Sequence, residues 1–197
     1  MKYKHIFFDL DRTLWDFDSS ARIAFNEIFE NHQLNQKGLP SVEVFQTAYN
    51  IHNDELWALY REGKIKKEVL RGKRFRLTLN DFGINDELLA EQIGDEYIQI
   101  SPLRVALFPH AESILQYLQP RFNLHMITNG FSEVQAVKLK SSGLGKYFKV
   151  IVTSEEAGHK KPDERIFSYA FEKSGAMPEE SIMIGDDPDV DILGAQR

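Results

Sequence analysis

The amino-acid sequence predicts an α/β fold, in which a Rossmann-like parallel sheet carries an inserted bundle of helices. Short apolar runs recur along the chain, and each of them closes on polar residues. Amphipathic helical patterns separate the later runs, as expected when helices cover both faces of a parallel sheet. A long stretch with helical spacing follows the first run, which predicts a second, helical domain.

The first apolar run, Ile6 to Phe8, has the composition of a strand that is buried on both faces, and it stops at Asp9. Residues 123–127, 150–152 and 182–184 have the same form. Ligands of open parallel sheets bind beyond the carboxyl ends of the strands. We therefore expect the polar residues that end these strands to converge on one site.

The helices that accompany the sheet are predicted at residues 111–118, 133–142 and 164–174. The interval between Asp9 and Phe122 is much longer than the dozen or so residues that a crossover connection needs. Helical spacing fills most of it, as at Ile23, Phe25 and Ile28. The sequence thus predicts a catalytic core of residues 1–17 and 101–197, with a helical cap, residues 18–100, inserted after the first strand.

Composition narrows the classes of function. The chain has 24 Lys and Arg against 30 Asp and Glu, and the resulting net charge of -6 argues against a nucleic acid polymer as partner. The absence of cysteine excludes disulfides and thiolate catalysis. The first apolar run is too short for a signal peptide or a membrane span, so we expect a cytoplasmic protein with no membrane partner.

The segment Asp9-Leu10-Asp11-Arg12-Thr13 places two carboxylates two residues apart, directly after the first strand. Alternation along an extended chain would aim both side chains to one side, where two like charges need a cation. A carboxylate can attack phosphorus to form an aspartyl-phosphate, and a second acid can protonate the leaving oxygen and later activate water. A helix N-cap or a polar turn would explain the same residues without chemistry.

A second acidic segment, Gly185-Asp186-Asp187-Pro188-Asp189-Val190-Asp191, follows the last predicted strand. Such a density of carboxylates is destabilising unless they are solvated or bound to a cation. Mg²⁺ meets this need because it prefers oxygen ligands, and it is the predicted cofactor. The alternative is an acidic surface loop that caps the next helix.

Two shorter segments could bind a phosphate group. Thr128-Asn129-Gly130 ends a strand and opens a helix, where a hydroxyl and backbone N–H groups can hold phosphate oxygens and glycine permits close approach. The same tripeptide is also an ordinary turn. Lys161 precedes Pro162, which favours an extended backbone, and its amine could neutralise the nucleophile and the phosphoryl group, although a solvated lysine is the usual alternative.

These four segments, in this order and each after a strand, resemble the four signature motifs of the haloacid dehalogenase-like hydrolases over nearly the whole chain. The resemblance implies that Asp9 is the nucleophile and a metal ligand and that Asp186 is a further ligand. It implies that Asp11 is the general acid and base and offers its backbone carbonyl to Mg²⁺. It also implies a catalytic role for Lys161. Thr128 and Lys161 would bind phosphate. The acid at Asp11 also separates the chain from the dehalogenase branch, which lacks one there.

Two features depart from the family pattern. At the position of Asp191 the family has an acid that binds the metal or orients the lysine. At the position of Asp187 the family often has Ser or Thr. Whether either residue takes part in metal binding therefore stays open. Family cores continue past the fourth motif into a helix, a strand and a final helix, but the sequence ends at Arg197. We therefore expect the C-terminal strand and helix of the core to be missing.

Ile127 to Phe131, Ser154-Glu155-Glu156 and the stretch from Gly63 to Phe75 resemble the YjjG-type pyrimidine 5'-nucleotidases of the same family. The resemblance implies a magnesium-dependent phosphatase that acts on nucleoside 5'-monophosphates or other small phosphorylated metabolites. One basic cluster lies in that stretch and could receive an anionic substrate, but a solvated helix face is the alternative. Its members are Lys64, Lys66, Lys67, Arg71, Lys73, Arg74 and Arg76.

Three other functions fit parts of the pattern. A phosphomutase of the same superfamily shields the aspartyl-phosphate from water until a sugar phosphate accepts the group. A receiver-like module also gathers acids, a threonine and a lysine around Mg²⁺ but serves as a phospho-acceptor without turnover, and the long insertion argues against it. A family member that has lost catalysis and only binds a partner is disfavoured by the intact motifs.

Overall fold

The computed structural model describes residues 2–196 of the 197-residue chain. These residues form two compact units. We call residues 2–17 and 105–196 the core unit, and residues 18–104 the helical unit.

The core unit is built on a parallel sheet whose described strands run in the order β3-β2-β1-β4. The strands are β1 (His5–Phe8), β2 (Asn123–Thr128), β3 (Val150–Thr153) and β4 (Ser181–Ile184). In the register, Phe8 pairs with Met126 of β2 and with Ile184 of β4, and Met126 pairs with Ile151 of β3. The α/β class and the four strands predicted from apolar runs are confirmed.

Helices of the core unit occupy the connections between the strands. They are α5 (Ala111–Leu118), α6 (Ser132–Ser142), α7 (Ser154–Ala157), α8 (Glu164–Ser174) and α9 (Leu193–Gln196), with a π-helical turn at Pro188–Ile192. The three helices predicted from sequence are confirmed, and only the start of α6 differs, by one residue.

Each face of the sheet packs into its own hydrophobic cluster because successive strand residues point to opposite sides. Ile6, Phe8 and Leu124 lie in one cluster, together with Leu115 of α5. Phe7 and Ile127 lie in the other, with Ile166 and Phe167 of α8. The central strand β1 is buried along its whole length, so the position of its last residue is fixed by packing from both sides.

The helical unit contains α1 (Phe17–Asn31), which begins at the end of the core unit, followed by α2 (Val42–Arg61), α3 (Lys67–Asp81) and α4 (Glu87–Ile100). One aromatic ring from each helix meets in its centre: Phe25, Tyr49, Phe75 and Tyr97. Helical spacing did not predict the burial of every position, since Ile23 lies on the surface.

The members of the basic cluster of the helical unit differ in burial: three are exposed (Lys64, Lys66 and Arg76), three are half-buried (Lys67, Arg71 and Lys73) and Arg74 is buried. Arg74 is buried, and its guanidinium lies 5.2 Å from the ring centroids of Phe75 and Tyr97 while Nη1 donates to Asn53 Oδ1 at 3.0 Å. A solvated helix face is therefore the wrong interpretation for Arg74. Within residues 2–196, no helix is both long enough and apolar enough to cross a membrane.

Candidate active site

The nucleophile candidate lies where β1 runs into a tight loop. The backbone N–H of Asp9 donates to the carbonyl of Ile184 on β4 at 2.9 Å, which extends the sheet bonding by one residue. The carbonyl of Leu10 then accepts from the N–H groups of Leu14 and Trp15, both at 2.9 Å. Arg12 takes a left-handed conformation with φ 62°, which is uncommon for a residue with a side chain. The loop therefore turns sharply between Asp9 and the following helix.

Asp9 faces a buried lysine rather than solvent. Nζ of Lys161 donates to Asp9 Oδ1 at 2.7 Å and to Asp191 Oδ1 at 2.6 Å, and the lysine is only 2% exposed. Oxygen atoms of Asp9, Asp186 and Asp191 all lie within 4.8 Å of one another. We call these three carboxylates and Lys161 the acid cluster. It joins the ends of β1 and β4 to the loop before α8, as the strand-end pattern predicts.

The electrostatics of the acid cluster are unbalanced. Burial raises the pKa of Asp9 to about 7, opposed by Lys161 and reinforced by the charges of Asp191 and Asp11. Burial, and then Asp191, also raises the pKa of Asp186. Burial alone would lower the pKa of Lys161, but Asp9 and Asp191 outweigh it and raise that pKa. Lys161 is bonded to Asp9 and Asp191, and Arg12 offsets part of the charge of Asp186, yet the pKa values of Asp9 and Asp186 stay raised. The carboxylates therefore keep an excess of negative charge that a bound cation or protons would offset.

Neighbouring residues hold the acid cluster in place. The side chain of Asn129 accepts from the backbone N–H of Lys161 at 2.8 Å and donates to its carbonyl at 3.0 Å, so it fixes the loop that carries the lysine. Gly185 lets Asp191 approach, because a Cβ at that position would lie 2.2 Å from Asp191 Oδ2. The carboxylate of Asp187 instead accepts from the N–H groups of the π-helical turn, so it caps that turn.

Thr128 lies at the end of β2 and is buried. Its Oγ1 accepts from the N–H of Gly130 at 3.0 Å, so this N–H already has a partner inside the chain. The hydroxyl of Thr128 keeps its own proton for donation. Within residues 2–196, the Thr128 hydroxyl is therefore available as a donor, whereas the side chain of Asn129 is engaged with the Lys161 backbone.

Asp11 has a separate environment that the sequence did not predict. Its two carboxylate oxygens accept from two residues of α6, Nζ of Lys138 and Nε2 of Gln135, the latter at 2.8 Å. Both donors are buried. The structure thus divides the two acids of the first motif: Asp9 belongs to the acid cluster, and Asp11 is bound to α6.

Comparison with known proteins identifies the family. The family model described as haloacid dehalogenase-like hydrolase matches residues 3–197. The chain belongs to the haloacid dehalogenase-like hydrolase family. It is 36% identical to the pyrimidine 5'-nucleotidase YjjG of Escherichia coli, over 98% of this chain and 82% of the relative. It is 32% identical to a glyceraldehyde 3-phosphate phosphatase of Methanothermobacter thermautotrophicus, over 98% of this chain and 80% of the relative.

A solved structure of the same family shows the fold as well. The HAD-hydrolase YfnB of Bacillus subtilis, solved bound to magnesium, aligns with a TM-score of 0.89 at 29% identity and covers 100% of this chain and 85% of its own. The resemblance to the haloacid dehalogenase-like hydrolases and to the YjjG type, predicted from motifs, is confirmed.

The donor set of this family member fits a magnesium ion. The acid cluster offers carboxylate oxygens from three residues, of which Asp186 is exposed while Asp9 and Asp191 are buried. Mg²⁺ takes one or two carboxylates and keeps several waters, so a site that is open on one side suits it. The negative charge of the acid cluster exceeds the positive charge of Lys161, which also favours a divalent ion at this site, because such an ion would offset the excess.

Proposed function

We propose that the chain is a magnesium-dependent phosphomonoester hydrolase that works through an aspartyl-phosphate on Asp9. The observation that carries the proposal is the division of the first motif: Asp9 is buried and bound to Lys161, while Asp11 is anchored apart from it on α6. A nucleophile and an acid–base group must have different environments to take different roles in one reaction.

Each residue has a task in this proposal. An oxygen of Asp9 attacks phosphorus, and the bond to the leaving oxygen breaks while Asp11 gives that oxygen a proton. Asp11 then takes a proton from water, and this water attacks the phosphorus and frees both Asp9 and inorganic phosphate. Lys161 is held on Asp9 and offsets the charge of the phosphoryl group. A bound Mg²⁺, held by Asp9 and Asp186 with the carbonyl of Asp11, would polarise the phosphate oxygens.

The substrates we propose are small phosphomonoesters, nucleoside 5'-monophosphates among them. This proposal is supported by relatives at 32–36% identity that are named as a pyrimidine 5'-nucleotidase and a glyceraldehyde 3-phosphate phosphatase. An acid at Asp11 supports ester hydrolysis over dehalogenation, since a phosphate ester needs its leaving oxygen protonated. We also propose that the helical unit is the cap of this catalytic core and selects the leaving group.

The test compares Asp9→Asn with the wild-type protein, using p-nitrophenyl phosphate and Mg²⁺. We expect Asp9→Asn to lose turnover by a factor of about 10⁴ or more, because the amide cannot form the covalent intermediate. Asp95→Asn, a change to an exposed acid of α4, is the control and should keep wild-type turnover. Retained turnover in Asp9→Asn would refute the nucleophile.

The same assay separates the alternative functions. A phosphomutase would release little inorganic phosphate unless it were supplied with an acceptor sugar phosphate. A receiver-like module would accumulate a long-lived phospho-protein after treatment with acetyl phosphate. The proposed hydrolase releases one inorganic phosphate for each alcohol formed.

A further inference from the structure

Two residues of α6, Gln135 and Lys138, hold the carboxylate of Asp11. Gln135 and Lys138 are one helical turn apart on α6 and point to the same side. Nε2 of Gln135 binds Oδ2 of Asp11 and Nζ of Lys138 binds Oδ1, so both oxygens of one carboxylate are held by one helix. Gln135 is 2% exposed and Lys138 is 4% exposed.

Packing fixes the lysine of this pair. The amine of Lys138 lies 5.2 Å from the ring centroid of Trp15 and 5.5 Å from that of Phe17. A lysine with so little exposure is costly to keep charged unless an acid pairs with it. Asp11 is that acid, so the position of the ammonium group and the position of the carboxylate determine each other.

The glutamine reaches Asp11 only because residue 130 has no side chain. A Cβ on Gly130 would lie 1.6 Å from Nε2 and 2.6 Å from Cδ of Gln135. Oε1 of Gln135 is buried without a hydrogen-bond partner within residues 2–196. A glutamine placed for packing would be expected to satisfy both ends of its amide. The Gln135 side chain is therefore oriented for its bond to Asp11.

We propose that Lys138 and Gln135 are positioning residues of the reaction and form a clamp that sets the orientation of Asp11 toward the leaving oxygen. The inference rests on the proposed function, since it assigns Asp11 the acid–base role. A carboxyl group has about four lone-pair sites, so with two of them taken by the clamp bonds, a third can carry the proton that goes to the leaving oxygen and the fourth can accept from water. The clamp residues keep their own protons; Asp11 alone gives a proton to the leaving oxygen and regains one from water.

The test uses two substrates that differ in how much they need the acid. Phenyl phosphate and p-nitrophenyl phosphate have similar shapes, but phenolate is the poorer leaving group and depends more on protonation. The quantity to compare is kcat/KM, which reports the steps up to the breaking of the ester bond. We expect Lys138→Met and Gln135→Leu to lower kcat/KM about 100-fold for phenyl phosphate and about 10-fold or less for p-nitrophenyl phosphate, since acid catalysis contributes roughly 10²–10⁴-fold.

Further variants separate positioning from a structural role. Lys138→Arg keeps the charge and should restore part of the loss with phenyl phosphate. Lys146→Met removes an exposed lysine that pairs with Glu112, and should leave kcat/KM unchanged for both substrates. Thermal melts identify a variant that fails to fold. Because Lys138 and Gln135 bind different oxygens of Asp11, each can be replaced separately, and if one variant does not fold the other one is used for the test.

The outcomes are distinct. A selective loss with phenyl phosphate, together with rescue by arginine, supports the clamp. Equal losses with both substrates, or no loss in either variant, overturn it while the phosphatase activity of the wild type stands. If the wild type itself hydrolyses neither ester with Mg²⁺, the proposed function fails and the clamp fails with it.

Discussion

Replacing Lys161 with methionine tests the charge balance of the acid cluster. The substitution keeps most of the length of the buried side chain but removes the ammonium group that lies 2.7 Å from Asp9 and 2.6 Å from Asp191. Removing one partner of a buried ion pair costs about 3–5 kcal/mol. Because Asp186 opens the cluster to solvent on one side, we expect the lower end, about 3 kcal/mol at pH 8 without metal.

The loss should depend on pH in a definite direction. The pKa of Asp9 is already raised to about 7 in the folded protein, above its ordinary value of 3.8, and it should rise further once Lys161 is gone. A folded state that binds the proton more tightly than the unfolded state is stabilised as pH falls toward the unfolded pKa and loses that stability as pH rises. At pH 6 protonation of Asp9 should reduce the cost of the variant to roughly 1.5 kcal/mol.

Urea unfolding in the presence of EDTA, followed by tryptophan fluorescence, measures both values. The matched control is Lys146→Met, which breaks an exposed ion pair with Glu112 and should leave the free energy of unfolding nearly unchanged. If Lys161→Met were no less stable than Lys146→Met at pH 8, or if its cost grew as pH fell, the assignment of Lys161 as the internal counter-ion of these carboxylates would be wrong.

Three further predictions concern other parts of the core unit. Gly130→Ala should lower the free energy of unfolding, measured in urea melts, by about 1–3 kcal/mol, because the new Cβ displaces the Gln135 amide. The control Gly145→Ala would make only ordinary contacts and should change the same free energy by about 0.5 kcal/mol or less. Asn129→Ala should cost about 2 kcal/mol and reduce kcat more than it changes KM, because both backbone bonds to Lys161 are lost. Burial lowers the pKa of His125 to about 4, and the charges of His5 and Lys149 add to this effect. The contribution of His125 to the free energy of unfolding is therefore full above about pH 6.5 and falls by about 2 kcal/mol as the pH is lowered toward 4. His125→Gln should remove this dependence of the unfolding free energy on pH.

The fold was predictable because its signal is local. Each strand of the sheet is a compact apolar run that stops at a polar residue, and the structure ends β1 before Asp9 and β2 at Thr128. Burial on both faces leaves such a run little choice of structure. The surface position of Ile23 shows the limit of the method, since helical spacing alone does not say which side of a helix meets the core.

The acid cluster was predictable in part. Asp9, Lys161 and Asp186 follow strands whose carboxyl ends share one edge of the sheet, so their convergence follows from topology. The membership of Asp191 was left open by the sequence. It depends on the π-helical turn that brings this residue back over Gly185, and nothing in the spacing of four acids distinguishes a ligand from the cap formed by Asp187.

The residues that hold Asp11 could not be predicted. Gln135 and Lys138 lie in a helix where polar residues are expected to face solvent, yet they are buried in the structure. Their burial follows from the distant chain segment that carries Asp11 and Trp15. A weak signal existed, since α6 has few apolar residues for a helix that covers a sheet, and its buried face had to include polar groups.

The most direct test of the account is to trap the covalent intermediate. The protein is mixed with p-nitrophenyl phosphate and Mg²⁺, quenched in acid and treated with borohydride, which reduces an aspartyl-phosphate to an alcohol, and the peptides are then mapped by mass spectrometry. We predict reduction at Asp9 alone, converting it to homoserine in the wild type. Active protein with no reduced residue, or with reduction at Asp11 or Asp186 instead, would contradict the assignment of Asp9 as the attacking group.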